Sequence, residues 1–219
     1  VLILCPLAVA AQTVKEGRKF HIEVTHVRQP EEIGASGIFI TNYERLELFI
    51  EIIEKLGGVV LDESSILKSF MGKTRIRLTE AFQLTPYRLC CTATPAPNDF
   101  MEFGQHCDFL SVMPSNEMLS RWFINDTMNA GGYRLKQHGQ SDFWAWVASW
   151  AVCISKPSDI GDDDTGYALP PLEVRRHVVT AELGDATEGM LFNVSGVSAT
   201  SIHDEKRLTL TARTERTVE

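Results

Sequence analysis

Short apolar runs alternate with segments of helical periodicity through the first half of the chain. Branched and apolar residues dominate five runs, which we predict to be β-strands, at residues 1–5, 21–27, 37–42, 58–62 and 87–93. Residues 43–58 have apolar side chains at helical spacing and end in two glycines, which predicts a helix. Residues 6–20 predict another helix, with Pro6 near its first turn. This alternation predicts an α/β fold, a parallel sheet with helices on both faces.

The second half has a different pattern. Residues 114–169 are rich in Trp, Gly and Asn and predict an α/β extension with a hairpin and an amphipathic helix over residues 143–151. Trp146 and Trp150 lie four residues apart in that helix, which is typical of core packing. Residues 172–183 predict a further strand, followed by a weakly patterned connector. We therefore divide the chain into residues 1–113, 114–169 and 170–219.

Charge and composition exclude some classes of protein. The net charge of -8 argues against a wholly basic nucleic-acid coat, although it leaves room for a local basic surface. The five cysteines show no C-x-x-C spacing and mostly lie in apolar runs, so we expect buried thiols in a reducing compartment. No apolar run reaches the roughly 18 residues of a membrane span. The composition predicts a cytoplasmic protein with no membrane partner.

Two adjacent carboxylates, Asp62 and Glu63, follow the apolar run of residues 58–61. Because ligands of open α/β sheets bind outside the carboxyl ends of the strands, this pair is predicted to lie at the ligand crevice. An apolar strand ending in Asp-Glu is the Walker B pattern, in which Asp62 would hold Mg²⁺ and Glu63 would act on water during phosphoryl transfer. The alternative is structural, since strands often end in an Asp that suits a turn or a helix N-cap.

The acidic pair and a second motif carry a family resemblance. Residues 59–69, "VVLDESSILKS", and residues 87–98, "YRLCCTATPAPN", resemble motifs II and III of superfamily 2 helicases, and in particular the Swi/Snf-type DNA translocases. Residues 2–16 resemble the family's motif Ia, and residues 37–46 resemble its next strand and turn. Residues 98–110 and 155–179 are similar to the helix after motif III and to the connector between the two lobes.

The resemblance implies a RecA-like P-loop NTPase lobe of an ATP-dependent DNA helicase or translocase, of a bacterial or phage type. Its cofactors would be ATP and Mg²⁺, and its partner would be double-stranded DNA. Asp62 would position Mg²⁺ through water, and Glu63 would be the general base. The coupling motif would be Thr92, Ala93 and Thr94. Residues near the nucleic-acid backbone would be Pro6, Gln12, Thr41, Asn42 and Lys68, although helix capping or a surface position explains these polar residues equally well.

Two departures from the family pattern stand out. Ser64 and Ser65 follow Glu63 where the family has a small residue and His, and their hydroxyls can still bond toward a γ-phosphate or across to Thr94. No G-x-x-x-x-G-K-[S/T] phosphate loop occurs, because "MGKT" at residues 71–74 lacks the first Gly and follows the acidic motif. We therefore expect a fragment that lacks an upstream phosphate loop and a downstream second RecA-like lobe, and that is inactive alone.

Two other functions remain open. One is a non-catalytic RecA-like nucleic-acid-binding module, in which the residues around Asp62 no longer support ATP hydrolysis. The other is a different α/β enzyme that uses Asp62 and Glu63 on another metal-bound substrate and needs no nucleic acid.

Overall fold

The computed structural model describes residues 1–69, 71–126, 132–167, 169–178, 203, 206–207 and 209–218. The chain divides into two compact units, Val1–Cys153 and Ile154–Glu219. Within the described residues, no helix is both long and apolar enough to cross a lipid bilayer.

A parallel five-stranded sheet organises the first unit. Its strands are β1 (Leu2–Cys5), β2 (Val24–His26), β3 (Ile38–Asn42), β4 (Gly58–Asp62) and β5 (Tyr87–Cys91). Their spatial order is β2-β3-β1-β4-β5, and every neighbouring pair is parallel. All five strands that the sequence predicts are confirmed, with ends shorter by up to three residues.

Helices cover both faces of this sheet, as predicted. Helix α1 (Ala10–Lys19) packs with Cys5 and Ile40 on one face. Leu2 and Leu4 point to the opposite face, where they join the larger core with side chains of α3 (Lys73–Ala81) and α4 (Phe103–Leu110). The alternation of Leu2 and Leu4 with Ile3 and Cys5 follows from the two-residue period of a strand.

The predicted helix over residues 43–58 differs in its local form. It consists of a 3-10 turn at Tyr43–Arg45, a short α2 (Leu46–Phe49) and a 3-10 helix at Ile50–Lys55. Its apolar side chains still face the core, so the predicted burial is correct and the predicted continuous α-helix is wrong. The β-branched Ile50, Ile52 and Ile53 lower α-helical propensity, and core contacts stabilise the segment instead.

The extension after α4 packs an aromatic core. It comprises α5 (Ser115–Trp122), an antiparallel hairpin of β6 (Phe123–Asp126) and β7 (Gly132–Leu135), and α6 (Gln140–Ala148). The hairpin is confirmed, and the predicted helix begins and ends three residues earlier than expected. The rings of Trp122 and Trp146 stack with centroids 4.5 Å apart, and Phe143 is fully buried beside them. Trp146 and Trp150 pack against this core, as predicted.

The second unit has less regular structure in its described part. It contains a 3-10 helix at Pro157–Ile160 and α7 (Leu210–Val218). Residues 172–178 form no strand, contrary to prediction, and residues 179–183 lie outside the described residues. Leu172, Val174 and Val178 are exposed, so the apolar residues that suggested a strand are not buried against a sheet.

Candidate active site at the carboxyl edge of the sheet

The direction of the strands places the predicted motifs at one edge. Pro6 follows β1, Tyr43 follows β3, Glu63 follows β4 and Thr92 follows β5. The chain leaves β1 toward β2 and leaves β4 toward β5, so the two connections diverge in opposite directions. Such a switch point in strand order opens the ligand crevice of an open α/β sheet. Asp62 and Glu63 therefore lie at the rim of this crevice.

Glu63 has an unusual backbone conformation. Its φ is 54°, in the left-handed region, where a residue with a Cβ is disfavoured by about 1–2 kcal/mol. The backbone N–H of Glu63 donates to Oδ1 of Asp62 at 3.1 Å, and its carbonyl accepts from the N–H of Ile66 at 3.2 Å. The side chain of Glu63 is exposed and that of Asp62 is half-buried. The turn thus presents two carboxylates, one partly anchored and one open to solvent.

Tyr43 fixes the end of β4 from across the sheet. Its hydroxyl donates to the backbone carbonyl of Asp62 at 2.8 Å, although β1 lies between β3 and β4. Burial is the main cause that raises the pKa of Tyr43 well above its ordinary value, with nearby acidic groups including Asp62 adding to it. The phenol therefore stays protonated and remains a donor. Sequence reasoning did not assign Tyr43 to the site.

The thiols around Asp62 are also neutral at physiological pH. Burial, with the charge of Asp62 as second cause, raises the pKa of Cys5 to about 11 and raises that of Cys91. All five cysteines are free thiols: Cys5 and Cys107 are buried, Cys90 is half-buried, and Cys91 and Cys153 are exposed. The predicted burial of thiols therefore applies to only part of the set, and Cys5 and Cys91 lie near Asp62 without adding charge.

Thr41 and Asn42, two of the expected nucleic-acid contacts, are buried. Thr41 is fully buried, and its carbonyl accepts from the thiol of Cys5 at 3.5 Å. The Asn42 amide donates to the carbonyl of Pro6 at 3.4 Å and so holds the turn that follows β1. Gln12 and Lys68 are exposed and Pro6 is half-buried. The structure brings Pro6 and Asn42 together, and the roles of all five residues toward DNA stay predictions.

The neighbouring basic residues are partly engaged within the protein. Arg75 in α3 lies 3.2 Å from Asp108 of α4, and Arg77 makes two hydrogen bonds of 2.8 Å to Glu47. The hydrogen bond to Glu47 is the largest cause that raises the pKa of Arg77. Lys73 is the first residue of α3 and does not stand in a phosphate loop. Lys68 and Lys73 are both exposed, and the contact of Lys68 with a phosphate backbone stays a prediction.

Thr92, Ala93 and Thr94 directly follow β5. Asp62 pairs in register with Cys91, so the acidic turn and the threonine turn start side by side. The backbone N–H of Thr94 donates to Oγ1 of Thr92 at 3.1 Å, which shapes a tight turn. The structure thus brings the expected catalytic pair and the expected coupling motif to neighbouring positions.

Ser64 makes a contact that the sequence did not suggest. It is fully buried, and its Oγ lies 3.2 Å from Nε2 of His106 in α4. Thr94 is exposed and its backbone N–H donates within its own turn, so Ser64 pairs with His106 and not with Thr94. The other possibility, a bond toward a γ-phosphate, stays a prediction. Burial lowers the pKa of His106, outweighing the opposing effect of Glu102, so the imidazole is neutral near pH 7.

A cavity of about 630 Å³ opens beside the threonine loop. Its lining includes Asn98 and Asp99 from that loop and Arg134, Gln137 and Gln140 from the extension. Neither Asp62 nor Glu63 lines it.

These features define a RecA-like lobe, an α/β domain with an acidic pair at the crevice of its parallel sheet. Among solved structures, the chain is similar to a Sulfolobus solfataricus SWI2/SNF2 ATPase core in complex with dsDNA, with a TM-score of 0.52 and 21% sequence identity. The match covers 68% of this chain and 32% of that one, so the chain spans about a third of its structural neighbour. No protein-family model and no curated protein sequence matches the chain.

Proposed function

We propose that this chain is part of an ATP-driven motor that moves on double-stranded DNA, in which Asp62 and Glu63 act on the nucleotide. The observation that carries the proposal is the placement of this pair at the switch point of a RecA-like sheet, beside the turn of Thr92–Thr94. The likeness to a SWI2/SNF2 ATPase core bound to dsDNA supports the same function.

The residues present fit part of a magnesium-nucleotide site. Hard cations prefer carboxylate oxygens and water, and Asp62 offers a partly solvated carboxylate whose Oδ1 is anchored by the N–H of Glu63. Asp62 would hold Mg²⁺ through water, and the bound ion would neutralise charge on the phosphates. Glu63, exposed and one residue further, would take the proton of the attacking water.

Another segment of a longer protein would supply the phosphate-binding half of the site. The 219 residues contain no phosphate loop, so we propose that another segment supplies it and that a second RecA-like lobe completes the crevice. Gln12 and Lys68 would contact the DNA backbone, where cations and amides suit phosphate oxygens. In this arrangement residues 1–219 alone do not hydrolyse ATP.

Glu63→Gln in the full-length protein tests the proposal. It keeps the shape of the side chain but removes the base, so DNA-stimulated ATP turnover should fall by about 100-fold or more while ATP binding is retained. The exposed Glu54→Gln is the matched control and should leave turnover unchanged. Equal turnover in wild type and Glu63→Gln would refute the assigned role.

The missing phosphate loop favours a second candidate, a RecA-like module that binds nucleic acid without hydrolysing ATP. It predicts DNA binding by the full-length protein that neither ATP nor Glu63→Gln changes. A metal-dependent activity that needs no nucleic acid would instead support a different α/β enzyme.

A further inference from the structure

Helix α4 contacts the acidic turn through a buried pair. Ser64, the residue after Glu63, is fully buried, and His106 of α4 is only 3% exposed. Their side chains approach to 3.2 Å between Oγ and Nε2. Loss of either group leaves the other without this partner. Because both are removed from water, the polar group left unpaired would be costly.

Glu102, the residue before α4, holds the loop that follows β5. Glu102 accepts from Asn98 twice, from the backbone N–H at 3.2 Å and from the side-chain amide at 2.7 Å. Asn98 lies in the loop that starts with Thr92–Thr94. Glu102 is 9% exposed, so its pairing with Asn98 is also largely shielded from solvent. Glu102 and His106 are four residues apart in continuous helical turns, so a single rigid segment holds both loops.

The left-handed Glu63 explains why such a support is needed. A residue at φ 54° is disfavoured in isolation and persists only where its surroundings hold it. Ser64 follows Glu63 directly, so an anchor on Ser64 restrains the turn that aims the Glu63 carboxylate. His106 is 3% exposed, so its imidazole offers a substrate almost no accessible surface.

We propose that His106 is a positioning residue, which sets Glu63 through Ser64 and links the acidic turn to the threonine loop through Glu102 and Asn98. The catalytic part of this inference rests on the proposed ATPase function. The mechanical part, that α4 holds the two loops together, concerns the fold alone.

Turnover by the full-length protein tests the catalytic part. His106→Leu and Ser64→Ala should each lower DNA-stimulated kcat by about tenfold and change the KM for ATP by less than about twofold. Since both remove the same contact, the double variant should be no slower than the slower single variant. His106→Gln keeps a polar atom near the position of Nε2 and should restore most of the rate. His138→Leu, in the 3-10 turn before α6, is the control and should match wild type.

Hydrogen exchange of the same proteins tests the mechanical part independently of activity. His106→Leu should raise exchange in both residues 62–66 and residues 92–99, and His106→Gln should not. If His106→Leu does not fold, hydrogen exchange is measured on Ser64→Ala instead, because that variant removes only one oxygen atom.

Two outcomes would overturn the inference. One is a double variant whose loss of kcat is the product of the two single losses. The other is faster exchange confined to α4. If the wild-type protein shows no DNA-stimulated turnover, the proposed function fails, and the exchange pattern alone decides whether α4 links the loops.

Discussion

Tyr43→Phe isolates the hydrogen bond that spans the sheet to Asp62. The substitution removes one oxygen atom and leaves the ring, which is 8% exposed and packs in the main core. The lost contact is the 2.8 Å bond from the hydroxyl to the backbone carbonyl of Asp62. The change therefore tests a polar contact without creating a large cavity.

The expected cost follows from that single contact. An intramolecular hydrogen bond contributes about 0.5–1.5 kcal/mol net, and a buried acceptor left unpaired costs about 1–3 kcal/mol. The carbonyl of Asp62 lies near the sheet edge, where water can replace part of the lost bond. We therefore expect the free energy of unfolding to fall by about 1–2 kcal/mol. Tyr87→Phe, at an exposed ring in β5, should change it by less than about 0.5 kcal/mol.

Urea unfolding followed by tryptophan fluorescence measures this difference. The tryptophans at positions 122, 144, 146 and 150 all lie in the first unit, and α4 contributes to both the aromatic core and the main core, so the signal reports that unit. If the proposed function is correct, Tyr43→Phe should also lower ATP turnover of the full-length protein several-fold, because the end of β4 carries Asp62. A loss of stability equal to that of Tyr87→Phe would refute the reasoning.

Two further predictions concern α4. Because burial lowers the pKa of His106, the unfolded chain takes up a proton first as the pH falls through the ordinary histidine value of 6.5. The contribution of neutral His106 to the free energy of unfolding is complete above that pH and should be lost below it by at most about 1.4 kcal/mol per pH unit. His106→Gln removes this pH-dependent contribution. Parallel curves of unfolding free energy against pH for the two proteins would contradict the prediction. Gly104→Ala would place a Cβ 2.9 Å from Cβ of Ser115 and 3.2 Å from Cε of Met118. It should destabilise the protein by about 1–3 kcal/mol in urea unfolding, although Ala favours helix, and Gly57→Ala, with no atom within 4 Å of its new Cβ, should have little effect.

The strands could be predicted because their signal is local. Each is a short apolar run between turn residues, and burial on both faces of a parallel sheet requires that composition. Residues 172–178 show the limit of the same signal, since branched residues form a strand only where neighbouring strands supply hydrogen bonds. The pattern identified which residues prefer extended backbone, but not whether a partner strand lies beside them.

The helical segments show a similar separation between burial and local form. Periodicity gave the buried face of residues 43–58 correctly because the core selects that face. It did not give the 3-10 geometry, which depends on how three isoleucines crowd the preceding turns and on contacts from other elements. Apolar spacing reports the side that is buried more reliably than the hydrogen-bond register of the backbone.

The acidic pair could be found because Asp62 and Glu63 are neighbours in sequence, whereas their supports are distant. Tyr43 is 19 residues from Asp62, and His106 is 42 residues from Ser64. A polar residue buried by a distant partner has the same local sequence signal as a polar residue on the surface, so the contact of the Asn42 amide with the carbonyl of Pro6 could not be read from the sequence. The fold resolves this ambiguity by burial: Asn42 and His106 point inward to protein partners, while Glu63 remains exposed at the open edge. Under the proposed function this division is physically reasonable, because a group that acts on a substrate must stay accessible while the groups that fix its conformation are protected from water.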